Sequence, residues 1–374
     1  MHPSVVISGT GLWIPEHTLT NEELVDAYNQ HVDRFNEEHK HAIEAGEIPA
    51  KAHSSAEFIV KASGIKSRYI YRKEGVLDLD RMRPVIPQRK NNELSDQAEM
   101  AIAAAKKAMA QAGKSGKDID AVIVSCAYTQ RSYPAIAIEV QEALGIEGFG
   151  FDMLVACSAA TFGLHRAYEM VKSGTAKCVL AINPELTSPQ VNYKSRDSHF
   201  IFGDVAVASI VETKETANSD HVFEILSTKA MTKFSNNIRS NFGYVLNAND
   251  ADPLGDDQYF SQNGRSVYKE VSPMAAKHIA DHIAAHTLSN DDIKRWWLHQ
   301  ANINMNKLIV KLILDREVSF EEAPVVLDEF ANTASAGSLI AFNKYNSDFQ
   351  SGEYGLICSF GAGYSIGSLV VRKV

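Results

Sequence analysis

Short apolar runs alternate along the chain with longer stretches of helical period. Six of these runs have the composition of β-strands and span residues 4–9, 120–127, 177–183, 205–211, 354–360 and 367–373. Several are apolar on both faces, which is typical of strands buried in the middle of a sheet. The pattern therefore predicts a sheet whose central strands are covered by other elements.

Helical periodicity marks residues 95–113, 158–173, 265–287 and 303–315. In the first of these stretches, Ser95 is suited to capping the first turn, and Gly113 is suited to the left-handed conformation that ends a helix. Strands that alternate with helices predict a layered α/β architecture.

A polar segment, residues 212–222, interrupts the alternation. It predicts two halves, 1–212 and 222–374, each with its own strands and helices. No close sequence repeat relates them, so any duplication is structural. Segments 29–57 and 72–92 are polar or basic, and we expect them to lie on the surface as long loops, which often cover functional sites.

Composition narrows the class of protein. The chain has 374 residues, of which 45% are hydrophobic and 22% charged, so it can bury one large core or two fused ones. A formal net charge of -9 argues against nucleic acid or an anionic membrane as the main partner. We find neither a membrane-spanning run nor a signal peptide, so we expect a cytoplasmic protein. The four cysteines lack metal-binding or disulfide spacing, so we expect reduced thiols.

One cysteine stands at a junction. In the stretch DMLVACSAATFG, residues 152–163, a predicted strand ends near Val155 and a predicted helix follows Cys157. A helix N-terminus favours thiolate, so this position suits a nucleophile with a lowered pKa. The alternative is a buried structural cysteine, which is how we interpret Cys126, Cys178 and Cys358.

Two polar clusters are candidate partners for this thiol. His299 and Asn302 follow the strand-like run RWWL, and Asn332 lies in a stretch of small residues. Each could also be a satisfied polar group without a chemical role. The combination with Cys157 favours a catalytic set, because α/β proteins collect their chemistry at strand ends.

Two other patterns have ordinary interpretations. The run GAGYSIG, residues 361–367, is followed by a strand rather than a helix, so it lacks the helix N-terminus that a dinucleotide requires. His278, His282 and His286 share one helical face, but we expect a solvated face with Ile279 and Ile283 buried beside it, not a metal site.

The chain resembles the β-ketoacyl-acyl-carrier-protein synthase III family of the thiolase superfamily. The resemblance is carried by DMLVACSAATFGL, HQAN at 299–302, NTASAGS at 332–338 and SFGAGYSIGSLVV near the end. It extends to VISGTGLWIPEHTLTNEEL, EFIVKASGIKSRYI, IFGD at 201–204 and NGRSVYK at 263–269. It implies a thiolase-like fold of two fused αβ halves in five layers, αβαβα, with segments 29–57 and 72–92 as insertions.

The resemblance also implies a chemistry. The catalytic triad that it implies consists of Cys157, His299 and Asn332. Cys157 is expected to take an acyl group from acyl-CoA. Malonyl-carrier protein is then expected to lose CO2 while His299 and Asn332 donate hydrogen bonds to the thioester enolate. Backbone N–H groups of Cys157 and Ala362 form the oxyanion hole. Neither a metal nor another cofactor is implied.

Substrate and partner residues follow from the resemblance too. Phe58, Asn302 and Tyr133 are expected to bind substrate, with Tyr133 reaching across a homodimer interface into the partner's acyl pocket. Where relatives use an arginine to grip CoA, this chain has Ala62, so we expect stacking on Phe58 to matter more than charge and salt to have only a modest effect. Asn304 replaces a basic residue that relatives use for the carrier protein, which leaves Lys307 and Lys311 for docking.

The leading hypothesis is therefore condensation of an acyl-CoA with malonyl-carrier protein in fatty acid biosynthesis. An alternative within the same fold is an acyl-CoA-dependent acyltransferase or condensing enzyme of secondary metabolism. A non-catalytic partner that keeps the fold is a third interpretation. The departures and insertions leave open a starter longer than acetyl.

Overall fold

The computed structural model describes residues 3–243, 248 and 250–374. The strands are β1 (Val5–Trp13), β2 (His17–Thr20), β3 (Ser67–Ile70), β4 (Ala121–Cys126), β5 (Phe149–Leu154), β6 (Cys178–Glu185), β7 (Val205–Thr213), β8 (Phe223–Ser235), β9 (Ile238–Arg239), β10 (Ser261–Gln262), β11 (Ile293–Leu298), β12 (Tyr354–Gly361) and β13 (Gly363–Lys373). The helices are α1 (Asn21–Glu38), α2 (Lys40–Glu44), α3 (Ala56–Ser63), α4 (Asp96–Ala112), α5 (Ile136–Ala143), α6 (Ala159–Ser173), α7 (Gly264–Ala284), α8 (Ile303–Leu314), α9 (Leu327–Phe330) and α10 (Gly337–Lys344).

One mixed sheet runs through the molecule in the order β11-β12-β13-β8-β1-β7-β6-β4-β5. Strand β1 pairs along its length with β7, and it pairs with β8 through Val6 and Ile7. The short pairing of β1 with β8 joins two groups of strands, one drawn from each side of the 212–222 segment. We propose that this segment, which links β7 to β8, is the boundary between the two halves.

Five layers surround this junction. Helices α6 and α10 lie in the middle, where their buried side chains pack with residues of both strand groups in one cluster. Helices α4 and α5 cover the outer face of the first group, and α7 and α8 cover the outer face of the second. The thiolase-like αβαβα fold class is thereby confirmed.

Local sequence explains the outer helix α4. Ser95 accepts a hydrogen bond from the Ala98 N–H at 3.1 Å, and Gly113 ends the helix with φ of 65°. Both caps are confirmed. Alanines dominate the buried face of α4, which lets the helix pack closely on β1: a Cβ at Gly11 would lie 2.1 Å from the Ala104 carbonyl oxygen.

The prediction of a solvated histidine face on α7 was wrong. His278 and His282 are each 3% exposed, and both hydrogen-bond to Ser368 Oγ on β13. They lie on the same buried side as Ile279 and Ile283 because α7 covers the sheet with a broad face. Burial lowers the pKa of His278 to about 4 and that of His282 to about 3, so both rings stay neutral near pH 7.

The two polar segments lie beside the N-terminal elements. The expectation of a long loop was wrong for segment 29–57, which contains the end of α1, all of α2, the loop before α3 and the first two residues of α3. Segment 72–92 is irregular, as expected of a loop. Within the described ranges, we find no helix that is both long and apolar enough to cross a membrane.

Candidate active site

Cys157, His299 and Asn332 line one cavity of about 350 Å³. The three residues come from three separate parts of the chain: the turn before α6, the end of β11 and the loop before α10. Apolar side chains form much of the remaining wall, among them Ile238, Phe260, Val267, Val271, Met305 and Phe360. A thiol, an imidazole and an amide thus face the same largely apolar space.

Cys157 lies in a 3₁₀ turn, Ala156–Ser158, between β5 and α6. Ala156 has φ of 44°, a left-handed conformation that non-glycine residues rarely adopt and that is common at functional sites. The expectation of a lowered thiol pKa was wrong. The pKa of Cys157 is raised to about 12, first by burial and then by the charge of Glu185.

Two backbone N–H groups oppose this rise. Those of Ala362 and of Cys157 itself hydrogen-bond to the thiol group and favour its charged form. Ala362 approaches because Gly361 precedes it: a Cβ at Gly361 would lie 2.4 Å from Cys157 Cβ. Donors in this position can also stabilise an oxyanion that forms next to the sulfur.

His299 is held without a charged partner among the described residues. Its backbone N–H donates to the Cys358 carbonyl at 2.8 Å, and its ring packs edge-on against Phe360. Burial lowers the pKa of His299 to about 3, so the imidazole is neutral near pH 7. A neutral imidazole carries one N–H donor, which suits it to stabilise a developing negative charge.

The surrounding backbone fixes the orientation of Asn332. Its Oδ1 accepts from the Ala334 N–H at 3.0 Å, so its NH2 group is left to donate. Ala331 and Ala334 both have positive φ, 56° and 47°, which marks this short loop as strained. Backbone hydrogen bonds to Ile201 and Gly203 tie the loop to the IFGD segment.

Glu185 is a buried carboxyl group that sequence reasoning missed. It ends β6 and accepts from the backbone N–H groups of Ser335 at 3.2 Å and Ala127 at 3.1 Å, and from the Ser335 hydroxyl. Burial raises its pKa to about 7. Glu185 thus links the loop of Asn332 to the first half and sets part of the potential at Cys157. Its only local signal is a carboxylate at the end of an apolar strand.

The expectation that charge matters little at the mouth of the cavity was wrong. Phe58 and Ala62 line the cavity as expected. The guanidinium of Arg196 lies over the Phe58 ring at 3.9 Å from its centroid, and its Nε donates to the His53 carbonyl at 2.8 Å. A cation is therefore present at the mouth, supplied by the loop between β6 and β7. Sequence reasoning missed it because Arg196 is 138 residues from Phe58.

The remaining expected residues have different surroundings. Asn302 lines the cavity, but its side chain caps α8 at Asn304 and donates to the Ala62 carbonyl. Tyr133 lies outside the cavity and is 85% exposed. Lys307 and Lys311 line a separate surface depression on α8 together with Asn304.

Both halves of the chain match known proteins. The family model for 3-oxoacyl-[acyl-carrier-protein (ACP)] synthase III matches residues 151–233, and the model for its C-terminal part matches residues 283–373. A β-ketodecanoyl-[acyl-carrier-protein] synthase of Pseudomonas aeruginosa is 51% identical over 349 residues, which cover 93% of this chain and 100% of that protein.

The matches to more distant relatives cover nearly the whole chain. A β-ketoacyl-[acyl-carrier-protein] synthase III of Granulibacter bethesdensis is 28% identical over 98% of each chain. The solved structure of 3-oxoacyl-[acyl-carrier-protein] synthase III from Aquifex aeolicus matches with a TM-score of 0.75 at 23% identity, covering 98% of this chain and 99% of that one, and so shares its fold. The chain belongs to the β-ketoacyl-acyl-carrier-protein synthase III family of acyltransferase-type condensing enzymes.

Proposed function

We propose that this enzyme condenses a medium-chain acyl-CoA with malonyl-carrier protein in fatty acid biosynthesis, through an acyl group held on Cys157. The observation that carries the proposal is the convergence of Cys157, His299 and Asn332 on one apolar cavity, with the N–H groups of Cys157 and Ala362 beside the sulfur. This set provides one nucleophile and four hydrogen-bond donor groups.

The first half-reaction is a transfer between two thiols. Cys157 Sγ forms a bond to the thioester carbonyl carbon, the bond from that carbon to the CoA sulfur breaks, and the Cys157 proton ends on CoA. The N–H groups of Cys157 and Ala362 stabilise the tetrahedral oxyanion. Because the resting thiol is neutral at pH 7, loss of its proton accompanies attack.

The second half-reaction makes the carbon–carbon bond. Malonyl-carrier protein loses CO2, and the electron pair of the broken bond forms a thioester enolate whose oxygen accepts from neutral His299 and from the Asn332 NH2 group. The enolate carbon attacks the acyl carbonyl, and Cys157 leaves as thiolate and regains a proton from solvent. The products are β-ketoacyl-carrier protein, CO2 and the free enzyme.

The name of the 51% identical relative supports the proposal of an eight-carbon starter. A β-ketodecanoyl group has ten carbons, of which malonyl supplies two after it loses CO2. The apolar wall of the cavity supports such a starter, because each methylene buried there contributes up to about 0.8 kcal/mol. Octanoyl-CoA is therefore the proposed acyl donor.

We further propose a cytoplasmic homodimer. All four cysteines are free, which is typical of a reducing compartment. The exposed Tyr133 is available to line the partner's acyl pocket, and Lys307 and Lys311 offer cations on α8 to an acidic carrier protein.

Intact-protein mass spectrometry tests the proposal. The enzyme is mixed in competition with acetyl-, hexanoyl-, octanoyl- and dodecanoyl-CoA, and malonyl-carrier protein is added afterwards. We expect an octanoyl adduct to form fastest on Cys157 and to be released as β-ketodecanoyl-carrier protein. Cys157→Ala should form no adduct, whereas Cys178→Ala, which removes a buried strand cysteine outside the cavity, should react like the wild type.

Other outcomes would favour the alternatives. A clear preference for acetyl-CoA would overturn the chain length and leave the reaction type standing. An adduct that does not consume malonyl groups would indicate simple acyl transfer to another acceptor. No adduct with any acyl-CoA would favour a non-catalytic partner.

A further inference from the structure

A second cavity, of about 490 Å³, adjoins the one that contains Cys157. Asp197, Phe260 and Gln262 line both cavities. The wall of the second cavity also contains Lys51, from the loop before α3, and Lys194 and Arg196, from the loop between β6 and β7. Segment 29–57 therefore contributes a cation next to the entrance of the active site.

These three cations have no ion-pair partner among the residues that the structure describes. Lys51 Nζ lies 3.2 Å from His31 Nε2 and 4.2 Å from the centre of the Phe35 ring, and Arg196 covers Phe58. The carboxylates in the same wall, Asp197 and Asp256, are not paired with them, and Asp256 instead accepts from Asn192 Nδ2 at 2.9 Å.

Two of the cations, Lys51 and Lys194, act on each other through space. Burial lowers the pKa of Lys51, Asp256 opposes this change, and Lys194 lowers the pKa further. Burial, Lys51 and Lys194 together lower the pKa of His31 to about 4, so His31 adds no positive charge near pH 7. Positive groups held close together in this way are stabilised when an anion binds between them.

We propose that Lys51 and Lys194, with Arg196, bind the phosphate groups at the nucleotide end of the acyl-CoA substrate. The inference rests on the proposed function, because it requires the thioester end of the same molecule to reach Cys157. The adjoining cavities allow one ligand to occupy both, with its apolar acyl end near Cys157 and its phosphates among the cations. Lys51 makes segment 29–57 a specificity element for CoA.

The test compares acyl donors that differ only in their phosphates. Acylation of Cys157 is followed by mass spectrometry with octanoyl-CoA, octanoyl-dephospho-CoA and octanoyl-pantetheine, which carries no phosphate. The variants are Lys51→Met and Lys194→Met, which keep an apolar stem, and the double variant. Lys40→Met is the matched control, because Lys40 is an exposed lysine of the same segment that does not line the cavity.

We expect each single variant to raise KM for octanoyl-CoA by up to about fivefold, the scale of a partly exposed ion pair, and to leave kcat unchanged. Octanoyl-pantetheine should react equally with all variants, and Lys40→Met should match the wild type. Raising salt from about 50 to about 500 mM should weaken use of octanoyl-CoA in the wild type more than in the double variant.

Three results would overturn the inference. The first is an equal loss of acylation with octanoyl-CoA and with octanoyl-pantetheine, which indicates a structural role for the lysines. The second is unchanged acylation by octanoyl-CoA in both single variants. The third is a salt effect on acylation that the double variant retains in full. Failure of the wild type to take an acyl group from any of the three donors would instead count against the proposed function.

Discussion

His299 and Asn332 offer hydrogen-bond donors without offering charge. Burial keeps the imidazole neutral with one N–H donor, and the Asn332 carbonyl oxygen accepts from the Ala334 N–H, which leaves the Asn332 NH2 group to donate. Neutral donors in a water-poor site stabilise an enolate strongly because little reorganisation is needed when the charge develops. Neither group is suited to deprotonate the Cys157 thiol completely. Their role as donors therefore belongs to the decarboxylation step rather than to acylation of Cys157.

Removing either donor should therefore affect decarboxylation most. We expect His299→Ala and Asn332→Ala each to slow release of CO2 from malonyl-carrier protein by about 100-fold or more, which corresponds to about 3 kcal/mol per donor. Acylation of Cys157 by octanoyl-CoA, measured by mass spectrometry on the same variants, should fall much less. Equal losses in both steps would show that the division of roles is wrong.

The pH dependence of the same step gives a second measurement. An ordinary histidine gains its proton near pH 6.5, but His299 keeps its neutral form down to about pH 3. The rate of malonyl decarboxylation by the octanoylated enzyme should therefore show no transition at His299 between pH 5 and 8. A transition near pH 6.5 that disappears in His299→Ala would contradict the buried, neutral state.

The turn between β12 and β13 and the turn before α6 meet at the nucleophile. Gly361 permits this contact, because a side chain there would occupy the space of the Cys157 Cβ. The close approach brings the Ala362 N–H to the sulfur and places Phe360 against His299. The geometry of the site thus depends on how tightly two loops of different halves pack.

Gly361→Ala should disturb the site more than the fold. The added methyl group must shift the turn at Cys157 or the β12–β13 turn, and overpacking of this kind costs about 1–3 kcal/mol of the free energy of unfolding. We expect acylation of Cys157 to be largely lost while thermal unfolding shows a moderately lowered Tm. Gly243→Ala is the control, since a Cβ there meets no described residue within 4 Å. Acylation at the wild-type rate in Gly361→Ala would exclude this role for the contact.

The edge strand at one end of the sheet has the features of a surface for self-association. Strand β5 is the last strand at that end, next to β4, and an unpaired strand edge is a template for pairing. Large apolar side chains near it are exposed: Tyr133 by 85%, Leu154 by 55%, Ile138 by 47% and Phe149 by 43%. An apolar surface along a sheet edge is suited to a symmetric contact with a second copy.

We therefore expect size-exclusion chromatography with light scattering to give about twice the chain mass of 41.1 kDa. Leu154→Lys places a charge at the sheet edge and should shift the protein toward the monomer. Leu312→Lys, at a leucine of α8 that is 52% exposed, should leave the mass unchanged. A wild-type mass near that of a single chain would contradict the proposed homodimer.

The local sequence determined a substantial part of this protein. The caps of α4 and the buried strands could be predicted because neighbouring residues specify them through hydrogen-bond geometry and alternating burial. The junction at Cys157 was also visible, since a strand must end and a helix begin within a few residues. Strand β8 was not predicted from the sequence, because its second half is polar and partly exposed and the strand therefore lacks an apolar run.

Only the tertiary structure decided the electrostatics and the shape of the site. The pKa of Cys157 rises because the surrounding core buries the thiol and because Glu185 brings negative charge near it. His278 and His282 are buried because β13 lies against their face of α7. The cations near the entrance come from Lys51, Lys194 and Arg196, which are distant in sequence and meet across folded loops. Burial and through-space charge depend on which segments pack together, and local patterns do not encode that packing.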